Sequence, residues 1–130
     1  MIAMLDYDAD TGILLVYQTG QRTEEDAGIQ EGMLADKVAE TNPAGFLYVM
    51  DHASWNVSHE TWVRLVKTAT EMIGGRPAAL VMPHDFPAEQ MALLLEITAS
   101  YGLRLEIFRD EDAGRAWLGA EIDSSRKKCS

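Results

Sequence analysis

The pattern of apolar and polar positions changes period several times along the chain. Residues 2–7 and 13–18 are short, strand-length apolar runs separated by Asp8-Ala9-Asp10-Thr11-Gly12, a segment whose acids and glycine suit a hairpin loop. They predict two antiparallel neighbours. From Thr23 the period becomes helical. Thr23 is a good N-cap, Glu24, Glu25 and Asp26 place negative charge at the positive end of a helix dipole, and Ile29, Met33, Leu34 and Val38 fall at helical spacing. Proline disfavours helical backbone in the residue before it, so this helix is expected to stop near Asn42 and Pro43.

Residues 45–51, Gly-Phe-Leu-Tyr-Val-Met-Asp, form a continuous apolar run of the kind found in strands buried on both faces. The pattern breaks over 52–57, and helical spacing returns from Ser58. Trp62, Leu65, Val66, Ala69, Met72 and Ile73 then share one stripe, with Arg64, Lys67, Thr70 and Glu71 off it. Gly74 and Gly75 can supply the positive φ that ends a helix. Residues 77–82 predict a third buried strand. Pro87 suits the first turn of a further helix, with Asp85 as its cap, running to Tyr101 before Gly102. In 103–108, Leu103, Leu105 and Ile107 alternate with Arg104, Glu106 and Phe108, the mark of a strand with one wet side at or near a sheet edge. A short closing helix follows, able to dock Ala113, Ala116, Trp117 and Leu118. The order is β, β, α, β, α, β, α, β, α. It predicts an α/β single domain with an N-terminal β-hairpin, then a mostly parallel (mixed) sheet of four to five strands with about four helices. The domain is expected to span residues 1–120, with 121–130 a flexible tail.

The strand at 45–51, the loop and helix His-Ala-Ser-Trp-Asn-Val-Ser-His-Glu-Thr-Trp-Val-Arg-Leu-Val at 52–66, and the closing Phe-Arg-Asp-Glu-Asp-Ala-Gly-Arg-Ala-Trp-Leu-Gly-Ala-Glu at 108–121 together resemble the STAS domain family. Within it they are most similar to the SpoIIAA-like (STAS/SEC14-type) bacterial proteins, over about residues 12–120. The resemblance implies a domain that works by binding, as anti-sigma-factor antagonists do. In those members the loop after this strand carries Asp-Ser-Ser/Thr-Gly, and a kinase that is also the anti-sigma partner phosphorylates the second hydroxyl residue. These positions fall here on Asn56, Val57, Ser58 and His59. Ser58 is thus the implied phosphoacceptor, although Asn56 stands in place of the acid and His59 in place of the glycine. Phosphate at a helix N-terminus meets free backbone N–H groups while adding nearly two negative charges to a contact surface. Unmodified, Ser58 is an ordinary N-cap. The SEC14-type resemblance implies an alternative, a carrier or sensor of a small apolar or anionic molecule, or of a lipid, in a cleft near Trp55, His59 and His84.

Charge narrows the choice of partner. The 130 residues carry 11 Lys and Arg against 21 Asp and Glu, a net charge of −10, and Arg126, Lys127 and Lys128 are clustered near the C-terminus. Such a surface repels phosphate backbones, so no nucleic-acid partner is expected and a basic protein surface is favoured. The apolar runs fall far short of the roughly 20 residues that cross a bilayer, so no membrane insertion is expected. With no basic region ahead of the first apolar residues and a lone Cys129 that can form no internal disulfide, a cytoplasmic setting is expected.

If the strands ending at Met50 and Met82 are parallel neighbours, Asp51, His52, Trp55, Ser58, His59, His84 and Asp85 gather at one end of the sheet, where open α/β sheets bind ligands. Zinc would accept His52, His59 and His84 with Asp51 or Asp85, but their spacing is not that of a metal motif. Ser58 with a histidine and an aspartate has the residue types of a hydrolase, without the Gly-x-Ser-x-Gly elbow. A phosphoaspartate receiver at Asp51 would need an acidic pair after the first strand and a lysine after the last, and neither is present. The expectation is therefore a partner- or ligand-binding surface of Asp51, His52, Trp55, Asn56, His59 and His84, with no catalytic residues, no metal and no cofactor. The helix before Tyr101 is apolar almost all round through Met91, Leu93, Leu94, Leu95 and Ile97, which predicts a homodimer contact.

Overall fold

The computed structural model describes residues 4–18, 20–50, 53–83 and 85–129, with 21, 22, 53–55 and 125–129 described as backbone only. The elements are β1 (Met4–Asp8), β2 (Ile13–Tyr17), β3 (Gly20–Arg22), α1 (Glu24–Thr41), β4 (Gly45–Val49), β5 (Ala53–Trp55), α2 (His59–Ile73), β6 (Ala78–Val81), α3 (Ala88–Ser100), β7 (Leu105–Phe108) and α4 (Glu111–Cys129). The main sheet has the order β1-β2-β4-β6-β7. Only β1 runs antiparallel to its neighbour, and the register sets Leu15 beside Leu47, Leu47 beside Ala79 and Leu80 beside Ile107. This is the mixed α/β sheet that the periodicity predicts.

From β2 onward the chain steps one strand at a time in a single direction, through α1, α2 and α3. Right-handed crossovers put all three helices on the same face. Leu34, Trp62 and Leu94 accordingly share a core with Leu14, Val16, Tyr48 and Leu80. The alternate residues of the same strands, Ile13, Leu47, Val49, Ala79 and Val81, pack on the other face against Leu118 and Ile122 of α4. With both faces covered, every residue of β4 and β6 is buried, whereas β1 and β7 are the edges and are only partly covered. The expected wet side of this edge strand holds at Arg104 and Glu106, which are exposed, but not at Phe108, whose ring packs tilted against Trp117 of α4 with centroids 5.9 Å apart. Two glycines allow α4 to lie this close. A Cβ on Gly114 would sit 3.2 Å from Leu47 Cδ1, and one on Gly45 would sit 3.1 Å from Ile122 Cδ1.

The helix ends follow local chemistry. Thr23 and Asp26 form a reciprocal capping box at the start of α1, and Asn42 closes it in the left-handed region at φ 47°. On α1, however, Ala27, Gln30 and Leu34 are buried while Ile29 is 54% exposed. Two positions along a helix is about 200° around it, so packing through Ala27 turns Ile29 outward. On α2 the predicted stripe is largely buried, but Thr70 joins it. Its hydroxyl donates to the Val66 carbonyl at 2.7 Å and so presents a methyl group to the core. The N-cap of α3 is Pro87, with no side-chain hydrogen bond, so Asp85 does not serve as the expected cap; it stands two residues too early.

Two further differences concern elements that sequence reading missed or shortened. β3 and β5 pair in parallel as a small second sheet, Gly20 beside Ala53 and Arg22 beside Trp55, where a connection and a loop were expected. They continue the parallel course of β2 and β4, a course kept by the Gln18 amide donating to the Val49 carbonyl at 2.9 Å. α4 continues through Cys129, across the segment expected to be a tail. Ile122 lies one helical turn beyond Leu118 and is 3% exposed, so the packed chain passes residue 120. Among the described residues, no helix is long and apolar enough to cross a membrane.

Candidate functional site

The parallel strands β2, β4 and β6 all deliver the chain to the same end of the sheet, and α2 begins there. Ser58, extended at φ −67° and ψ 160°, is its N-cap. The Ser58 Oγ accepts from the Thr61 amide at 3.1 Å and donates to Thr61 Oγ1 at 3.0 Å. The Ser58 amide, left over by the geometry of the turn, donates to Glu24 Oε1 at 2.8 Å. Glu24 is the first residue of α1, so the N-termini of α1 and α2 meet across one carboxylate. A hydrogen bond from the Thr61 side chain, followed by that from the Ser58 amide, holds the Glu24 carboxyl below its ordinary value of 4.5. A second tie joins the same helices, an ion pair between Arg64 Nη1 and Glu31 Oε1 at 2.6 Å. Trp62 anchors α2 to α3, its indole N–H donating to the Gln90 carbonyl at 3.0 Å.

Of the residues expected to gather here, Asn56, Ser58 and His59 stand exposed together at the start of α2, while Val57 is half-buried against the core. Asp51, His52 and His84 lie outside the described residues, and Trp55 is placed by its backbone alone, paired with Arg22. The described hydrogen bonds of Ser58 run to Thr61 and Glu24, not to a histidine. Among the described residues, no three His, Cys, Asp or Glu side chains form a group that could hold a metal ion. Glu24 and Thr61 were missed by sequence reasoning. Thr61 carried a legible signal, since the third residue of a helix is the usual partner of an N-cap. Glu24 carried none, because it lies 34 positions away and reads as a first-turn acid of its own helix.

The arrangement can present a hydroxyl to another protein and accept negative charge at a helix N-terminus. No family model matches the sequence, and no curated protein matches it. Among solved structures it is similar to that of the Bacillus cell fate determinant SpoIIAA in the phosphorylated form, with a TM-score of 0.52 and 9% sequence identity, covering 85% of this chain and 95% of that one. Together with the mixed five-stranded sheet, three helices on one face and a fourth on the other, this likeness shows that the chain has a SpoIIAA-like fold.

Proposed function

We propose that this chain is a non-catalytic regulatory domain that binds a protein partner through the surface at residues 52–59 and the start of α2, with Ser58 as a phosphoacceptor. The observation that supports it best is the exposed Ser58 hydroxyl at the head of α2, hydrogen-bonded into a network that ends on the Glu24 carboxylate. A phosphoryl group on Ser58 would face that carboxylate at close range. Like charges would repel, the phosphate would take the α2 amides, and the contact between Glu24 and Ser58 would open. Asn56 and His59 flank the acceptor and belong to the same recognition surface, to which Asp51, His52, Trp55 and His84 would add from the adjoining segments. The SpoIIAA structure is of a phosphorylated protein, which gives the reading a precedent on the same fold. The net charge of −10 favours a basic partner, of the kinase-like kind that anti-sigma factors exemplify. Association of two copies through α3 belongs to the same proposal, since Leu95 there is 44% exposed.

Phosphopeptide mapping of the protein purified from its own cells, together with identification of proteins crosslinked to it, tests this. Phosphate on Ser58, and a partner retained by Ser58→Ala but lost by Ser58→Asp, is the expected result. A partner held equally by Ser58→Asp would remove the switch, and the absence of any specific partner would remove the binding role.

A further inference from the structure

Two hydroxyls in series end on a carboxylate at the head of α2, and their order is fixed by what each group can do. Glu24 is ionised at neutral pH, its carboxyl held below the ordinary 4.5, and an ionised carboxylate can only accept. The Thr61 hydroxyl therefore points its one proton at Glu24. Thr61 Oγ1, 3.0 Å from Ser58 Oγ, is left to accept, so Ser58 directs its own proton to Thr61. The Ser58 hydroxyl also reaches the carboxylate directly, with a smaller effect than that of Thr61. By either path the serine proton faces Glu24.

The rest of the serine oxygen is equally determined. One lone pair accepts from the Thr61 amide at 3.1 Å, which fixes Oγ over the first turn of α2. A hydroxyl oxygen has a second lone pair, and among the described hydrogen bonds none is donated to it. Ser58 is exposed, so this lone pair faces solvent. A nucleophile with its proton drawn inward and a lone pair turned outward is set to attack an electrophile that arrives from outside. The Ser58 amide donates to Glu24 Oε1 at 2.8 Å and ties the carboxylate to the same turn, so the three residues act as one unit. The acid at this corner thus comes from α1, while Asn56, two residues before the acceptor, is uncharged.

We propose that Thr61 and Glu24 are positioning residues for phosphoryl transfer from a nucleoside triphosphate to Ser58, and that the proton released by the serine leaves through them. This inference rests on Ser58 being the phosphoacceptor. Ser58 Oγ forms a bond to the terminal phosphorus as the bond from that phosphorus to the nucleoside diphosphate oxygen breaks. The Ser58 proton moves to Thr61 Oγ1 while the proton of Thr61 moves to Glu24, which returns it to water. The protein partner holds the nucleotide, and this chain prepares the oxygen that attacks it.

The test uses the full chain, radiolabelled ATP and a soluble extract of its own cells as the source of kinase. Initial rates of labelling are measured against chain concentration, and Ser58→Ala, which should carry no label, assigns the site. Glu24→Gln keeps the shape of the side chain but can take no proton. Its maximal rate should fall on the order of a hundredfold while the half-saturating concentration stays unchanged. Thr61→Val, which leaves only the weaker direct contact, should be slower by about fivefold, and Thr61→Ser should keep the native rate. Because the two residues act in one relay, the double variant should be no slower than Glu24→Gln alone. Equal maximal rates for the native chain and Glu24→Gln, a change confined to the half-saturating concentration, or losses that multiply in the double variant would each overturn the inference and leave Ser58 as the acceptor. A native chain unlabelled at Ser58 would overturn the regulatory reading and this inference together. Glu24 is exposed, and should its replacement unfold the chain, Thr61→Val against Thr61→Ser decides alone.

Discussion

Ser58 serves two helices through two different atoms, its hydroxyl closing the first turn of α2 and its amide holding Glu24 of α1. Ser58→Ala removes only the first, and a lost N-cap should lower stability by about 1 kcal/mol, read as a shift in the urea midpoint with unchanged slope. Glu24 makes this corner pH-dependent. Its folded pKa is depressed, so its contribution is complete above the unfolded value of 4.5 and is lost as pH falls through the lower folded value. The stability difference between the native chain and Glu24→Gln should therefore be constant near neutrality and shrink below pH 4.5, as urea midpoints across that range would show. At Tyr48 the sign is reversed. Tyr48→Phe removes an unpartnered buried hydroxyl without opening new space, and should raise stability by about 1 kcal/mol in the same assay.

At the level of elements, the glycines of the helices and strands divide by what surrounds them. Gly28 and Gly32 lie on the exposed side of α1, with open space where a Cβ would go, so alanine at either position should stabilise the helix by up to about 1 kcal/mol through reduced backbone entropy in the unfolded chain. Gly45 faces α4 instead. Its added Cβ would press on Ile122 and Leu118, at 3.1 and 3.2 Å, and on a strand no helix propensity compensates. Gly45→Ala should cost on the order of 1–3 kcal/mol, and the three variants compared by thermal unfolding should move in opposite directions. The same substitution thus reports whether an element is free on that side or pressed against the second layer.

For the whole molecule, α4 is what makes the sheet a two-sided layer, and Ile122 is its last buried side chain among those described. A chain ending at Ala120 should lose about 2–4 kcal/mol, whereas one ending at Ser124 should unfold close to the native midpoint. The architecture also separates two regions. The corner at Ser58 is exposed and charged, whereas the half-open pocket walled by α2 is lined mostly by apolar side chains, yet both belong to α2.

The local content of this fold was written in neighbouring residues. Apolar runs of strand length marked β2, β4 and β6, Thr23 and Ser58 marked helix starts, and Asn42 marked a helix end, because each of those signals acts within about four residues along the chain. A mostly parallel sheet with one antiparallel strand followed from them by the rules of crossover connection. What the sequence could not determine depends on partners distant along it. Three-residue β3 and β5 have too few positions for a period to be seen, and they pair only because β2 and β4 already run side by side. Ile29 faces outward and Thr70 inward because helix rotation is set by what each helix packs against, not by its own composition. The carboxylate that meets Ser58 comes from 34 residues away, and the half-open pocket walled by α2 is the remainder left when three helices and a sheet fail to fill a common volume, so both exist only in the tertiary structure.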